Sequence, residues 1–192
     1  MRSTFLAVSV VTLFLLQGND LTGQAPGTTQ VADQPSWPPA ALSGTSTPPP
    51  ERIANLRRAA EGGDAVAQND LGSAYAFGGG VERNNEEAAK WFALAAKAGL
   101  AEAQANLGYL YEKGWGVAQD YGAALDQYRA AAEGGNAQAQ TRIGLFYEKG
   151  WVVPMDQREA VRWYRVAAER GDAAGQRKLG NCLYAGRGAP RD

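Results

Sequence analysis

Residues 101–117 read Ala-Glu-Ala-Gln-Ala-Asn-Leu-Gly-Tyr-Leu-Tyr-Glu-Lys-Gly-Trp-Gly-Val, and the same pattern returns 36 residues earlier and 36 residues later. Ala103, Gln104, Leu107, Gly108 and Tyr111 match Ala67, Gln68, Leu71, Gly72 and Tyr75 on one side, and Ala139, Gln140, Ile143, Gly144 and Tyr147 on the other. A spacing of i, i+4, i+8 sets the alanine, the aliphatic residue and the tyrosine on one stripe of a helix. Self-similarity at such a period is the mark of a repeat array, in which each unit buries its apolar face only by stacking on the next. A glycine beside the stripe costs about 1 kcal/mol of helix propensity, and it is tolerated where another helix must come close.

Working outward, the units are 64–99, 100–135 and 136–171, with a half-repeat at 172–192 and another at 50–63, where Leu56, Ala59, Ala60 and Gly63 fall on Phe92, Ala95, Ala96 and Gly99. Each unit reads as helix A, a glycine-rich turn and helix B. The turns are Gly78-Gly79-Gly80-Val81, Gly114-Trp115-Gly116-Val117, Gly150-Trp151-Val152-Val153 and Gly186-Arg187-Gly188-Ala189. Asn84, Asp120 and Asp156 are N-caps for helix B, and Glu87 and Glu159 stand three residues on at capping-box spacing. Asp64, Asn136 and Asp172 cap helix A, whereas Leu100 breaks that rule. Helix B carries Trp91 and Phe92, matched by Trp163 and Tyr164 and, in the middle unit, by Gln127 and Tyr128. Trp91 and Trp163 are expected in the core, where truncation costs about 3 to 5 kcal/mol. The fold class is all-α, with about eight helices.

These positions resemble the Sel1-like repeat family, whose unit has the form Ala, Leu-Gly-x-x-Tyr, Gly-x-Gly-Val, Asp, Ala, Trp, Ala-Ala. The tetratricopeptide repeat shares Leu-Gly-x-x-Tyr but has a period of about 34 residues and lacks the glycine-rich turn. Gln127 and Val152 depart from the pattern. The resemblance implies a right-handed α/α superhelix with helix A on its inner surface, acting as a protein-protein interaction scaffold for a peptide or protein partner.

Function then falls to the helix-A positions that vary between units. These are Asn69, Asp70 and Ser73 in the first unit, Asn106 and Tyr109 in the second, Arg142 and Leu145 in the third, and Arg177, Lys178 and Asn181 in the last. Together they predict an inner face running from acidic to basic around an apolar middle. From Pro50 to Gly135 there are 8 Lys and Arg against 12 Asp and Glu, and from Asn136 to Asp192 there are 10 against 6. Trp115 and Trp151 hold equivalent turn positions, so two indoles one repeat apart either pack on the neighbouring turns or are candidates for a docking ridge or for stacking on peptidoglycan glycans.

Composition excludes much else. The chain has no histidine and one cysteine, which removes the commonest general base and metal ligand and any disulfide within the chain. No Ser-x-x-Lys of the penicillin-acylating kind occurs, nor a phosphate-binding loop, and no cofactor is expected, so a cell-wall hydrolase has no parts to build on. A net charge of -1 offers no field for nucleic acid. Arg2 followed by the apolar run Phe5 to Leu16 reads as a signal peptide over 1–25. Small residues at Gly23 and Ala25 suit a cleavage site that Pro26 disfavours, so membrane association is expected only if this segment stays attached. Residues 26–49, rich in Pro, Ser and Thr, read as a linker. A secreted or periplasmic address follows. Cys182 is expected to pack as a small hydrophobe or, in an oxidising compartment, to link two copies; the half-repeat at 172–192 offers a second route to a homodimer.

Overall fold

A computed structural model of the chain describes residues 50–187. The signal segment with its cleavage site, and the linker, lie outside these residues. The described part is eight helices: α1 (Pro50–Glu61), α2 (Ala65–Phe77), α3 (Asn85–Lys97), α4 (Ala101–Lys113), α5 (Tyr121–Glu133), α6 (Ala137–Lys149), α7 (Gln157–Glu169) and α8 (Ala173–Tyr184). There is no strand among the described residues. Helices α2, α4, α6 and α8 are the A helices, and α1, α3, α5 and α7 the B helices.

The caps explain why the elements start where they do. Asp64 accepts from the backbone N–H of Val66 and Ala67 at 2.9 and 3.1 Å, Asn136 from Ala139 at 2.9 Å, and Asp172 from Gly175 at 2.7 Å; Leu100 supplies no side-chain cap. Asn84, Asp120 and Asp156 cap the B helices in the same way. The reciprocal half of the expected capping box is not made. The N–H groups of Asn84, Asp120 and Asp156 donate instead to the carbonyls of Tyr75, Tyr111 and Tyr147, at 2.9 to 3.0 Å, so each cap residue ties helix B back onto its own helix A. Glu87 and Glu159 pair with Lys90 and Arg162 one turn further on.

Two places in the turn between the helices favour glycine. The first and third turn residues take positive φ, as at Gly78 (76°) and Gly80 (89°) and at Gly114 (68°) and Gly116 (70°). In the third unit Gly150 (70°) keeps the rule but Val152 adopts φ 52°, the one non-glycine residue among those described to do so. The turn geometry, set by the helices on either side, overrides the preference of the β-branched side chain.

The core is built by aromatic rings of helix B laid on the glycine of helix A. Phe92, Tyr128 and Tyr164 are fully buried, and a Cβ added at Gly72, Gly108 or Gly144 would come within 2.8, 3.0 and 2.6 Å of those rings respectively. Trp91 and Trp163, expected to be the core aromatics, are only half-buried and pack on the borders of the clusters. The expected truncation cost of about 3 to 5 kcal/mol therefore belongs to the neighbouring rings. Successive units are stitched by glutamine: Gln68, Gln104 and Gln176 donate to the carbonyls of Ala60, Ala96 and Ala168 at the end of the preceding B helix, at 3.1, 3.4 and 3.3 Å.

Candidate functional site

The variable positions of the A helices divide into two sets. Asn69, Ser73 and Asn106 are buried and closed to a partner. Asn106 Nδ2 donates to Asn69 Oδ1 at 2.8 Å, and burial away from water makes that amide pair a fixed contact. Tyr109 is buried as well, beneath Trp115 and the cations of Lys113 and Arg142. Asp70, Arg177 and Asn181 are exposed, and Leu145 is half-buried. Burial pushes the Asp70 carboxyl above its usual range, against the opposing effects of the Asn69 amide and Arg52.

The basic end of the expected gradient is largely internal business. Arg142 Nη1 lies 3.3 Å from Glu112 Oε1, and the buried Glu112 also accepts from the Tyr128 hydroxyl at 2.8 Å and pairs with Lys113 at 2.8 Å. One unit later Lys178 Nζ lies 3.4 Å from Glu148 Oε2, which accepts from the Tyr164 hydroxyl at 2.5 Å. Each carboxylate thus joins its own helix A, its own helix B and the next helix A. Burial pushes the Glu148 carboxyl up, but the Tyr164 hydroxyl and the Lys178 and Lys149 ammonium groups outweigh it and hold the group below the ordinary glutamate range. Burial and the Glu112 charge push the Tyr128 phenol well up, so it stays a donor. In the first unit the equivalent residues are Ala76, Phe92 and Asn106. The three positions change together, and that comparison between units was the signal for Glu112 and Glu148, which helix-face charge alone concealed.

The two turn tryptophans also part company. Trp151 stacks on Tyr121 at 5.0 Å and 25° and sets its edge against Phe146 at 5.5 Å and 90°. Trp115 stands where those partners are replaced by Asn85 and Leu110; it meets Tyr109 edge-on at 5.6 Å and 87° and stays 39% exposed. A symmetric ridge of two indoles does not form. Cys182 is buried against Val161 and Tyr164, and burial followed by the Glu148 charge pushes its thiol up, so a disulfide between two chains would first require α8 to open.

Helix pairs stacked through glutamine stitches, glycine sockets and carboxylate ties make this an α-solenoid repeat protein. The Sel1 repeat model matches residues 65–100, 101–136, 137–172 and 173–192, and the chain belongs to that family. Among solved structures it is similar to a Sel1 repeat protein from Oxalobacter formigenes, with 40% identity and a TM-score of 0.71 over 74% of this chain and 57% of that one. It is also similar to a protective antigen present in uropathogenic Escherichia coli strains that displays an SLR fold, with 39% identity and a TM-score of 0.69 over 73% of this chain and 30% of that one. The chain therefore spans about half or less of the length of these structures. No curated protein matches it. Proteins of the Sel1 repeat family are in general interaction scaffolds.

Proposed function

We propose that this chain is a non-enzymatic scaffold of the bacterial envelope or secreted fraction that holds a protein or peptide partner along its A helices. The observation that carries this reading is the division within the A helices. The Asn69–Asn106 amide pair locks one unit to the next and Ser73 is buried, while Asp70, Leu145, Arg177 and Asn181 keep solvent access at positions that differ from unit to unit. Residues that differ between otherwise equivalent units and still reach solvent are those placed to select a partner. Side-chain bonds join α2 to α4, α4 to α6 and α6 to α8, which suits a rod whose A helices form the shorter, inner layer. The export reading rests on Arg2 and the apolar run after it.

The test is affinity capture from an envelope fraction with the full chain as bait, comparing wild type with Leu145→Asp, Arg177→Glu, Asn181→Ala combined. None of these three residues makes one of the Glu112 and Glu148 contacts described above. A captured protein lost in the variant and kept by an outer-side control, Leu94→Ser, supports the reading; capture that ignores the variant removes the A-helix face.

A further inference from the structure

The second turn sets an uncovered indole among cations. Asn85 and Leu110 occupy the places from which Tyr121 and Phe146 receive Trp151, so Trp115 finds no aromatic partner there and leans on Tyr109. The Arg83 guanidinium carbon lies 5.9 Å from the centre of the Trp115 ring, and Lys113 Nζ and the Arg142 guanidinium carbon lie 5.4 and 5.1 Å from that of Tyr109. Glu112 is the carboxylate built into this group. Among the described residues no carboxylate pairs with Arg83, although Glu82 and Glu86 are exposed close by in the chain. The turn is also held in place from behind. A Cβ added at Gly116 would come within 2.1 Å of the Asn85 carbonyl oxygen, so the backbone that carries Trp115 is wedged against the start of α3 before any partner arrives.

We propose that Trp115, Arg83 and Lys113 form a docking platform for an acidic peptide segment of a partner protein, one in which a carboxylate neighbours an aromatic or aliphatic side chain. This rests on the scaffold reading and extends its contact surface from the A helices onto the turn edge. An indole at a protein surface is the residue most often found to dominate binding energy, and the apolar neighbour in the partner packs on its exposed part. Lys113 shares Glu112 with Arg142, so it can turn to an incoming carboxylate while Glu112 keeps Arg142 and the Tyr128 hydroxyl, and no buried charge is orphaned. A basic segment meets rings that already carry cations. A glycan stacks on a ring face, and Arg83 already lies over one face of Trp115.

A phage-displayed library of random dodecapeptides panned on the purified full chain tests this. Enriched sequences are expected to join Asp or Glu to Trp, Phe, Leu or Ile, and a synthetic copy is expected to bind in fluorescence anisotropy. Trp115→Ala and Arg83→Glu should each weaken that binding about tenfold or more, with helix content unchanged by circular dichroism. Raising salt from about 50 to about 300 mM should weaken it further. Enrichment without acidic residues, no enrichment at all, or binding indifferent to Trp115→Ala overturns the platform. If the peptides instead respond only to Leu145→Asp with Arg177→Glu, the platform fails and the A-helix reading stands; indifference to both sets removes both. Co-sedimentation with purified cell-wall sacculi that Trp115→Ala abolishes, with no peptide selected, would replace the acidic peptide by a glycan.

Discussion

Replacing Val152 by glycine should stabilise the protein, although it removes a hydrophobic side chain. At φ 52° the valine sits in the left-handed region, at the turn position held by Gly80 and Gly116 in the preceding units. Holding a β-branched residue there costs about 1 to 3 kcal/mol. The side chain is 60% exposed and belongs to none of the buried clusters, so its loss forfeits little packing. Glycine returns about 0.5 to 1 kcal/mol of this through the greater freedom of the unfolded chain. The net gain is about 1 kcal/mol, or roughly 3 °C in Tm for a chain of this size. The converse substitution checks the reasoning in the same protein. Gly116→Val takes on the same strain and drives a Cβ to within 2.1 Å of the Asn85 carbonyl, so it should lose about 3 kcal/mol or more. Urea unfolding followed by far-UV circular dichroism reads both, with the m-value as a check that the transition is unchanged. A Val152→Gly variant less stable than wild type would refute the argument, because it would mean that the side chain packs and the backbone is not strained.

The glycine sockets predict opposite signs for one substitution: Gly144→Ala pushes a methyl into the Tyr164 ring and destabilises by about 1 to 3 kcal/mol, while Gly180→Ala meets nothing within 4 Å and gains up to about 1 kcal/mol of helix propensity, both read from Tm. Tyr128→Phe removes a hydroxyl from a buried carboxylate and should cost about 1.5 to 3 kcal/mol, whereas Tyr128→Phe with Glu112→Ala, which copies two of the first unit's three residues, should cost less than the sum of the two single changes in a double-mutant cycle. Because the folded-state pKa of Glu148 is lowered, its ion pair contributes stability above the unfolded value of about 4.3 and loses it as pH falls through the folded value; Glu148→Gln should flatten that part of a stability-pH curve. Asp70 acts in the opposite sense, since its raised pKa makes protonation favour the folded chain, and Asp70→Asn should remove a small rise in stability on acidification.

The period, the helix boundaries and the family were legible because they rest on local rules: a stripe spacing, a cap residue, a glycine at a left-handed turn. Capping residues such as Asn84 and Asp172 act on N–H groups two or three residues away, so reading them needs no tertiary knowledge. What escaped was everything decided between units. Glu112 looks like any surface glutamate until the Tyr128 hydroxyl and the Arg142 guanidinium, 16 and 30 residues distant, are brought against it. Asn69 and Asn106 look like solvated polar positions until they meet each other. Trp115 and Trp151 both follow Tyr-Glu-Lys-Gly and part at the residues that receive the indole, Leu110 and Asn85 against Phe146 and Tyr121, which the repeat period alone does not convey.

The carboxylate ties give the array a grammar. Glu112 demands a cation from the unit that follows it, and Glu148 demands another, whereas the first unit asks only for an amide. A tandem duplication of the third unit would satisfy that rule, since the copied Arg142 would meet Glu148 and the copied Glu148 would meet Lys178. A duplication of the second unit would not, because the copied Asn106 would face Glu112 in place of Arg142 and leave the buried anion to Lys113 alone. Lengthening of this rod by recombination is therefore directional, open at the third unit and obstructed at the second.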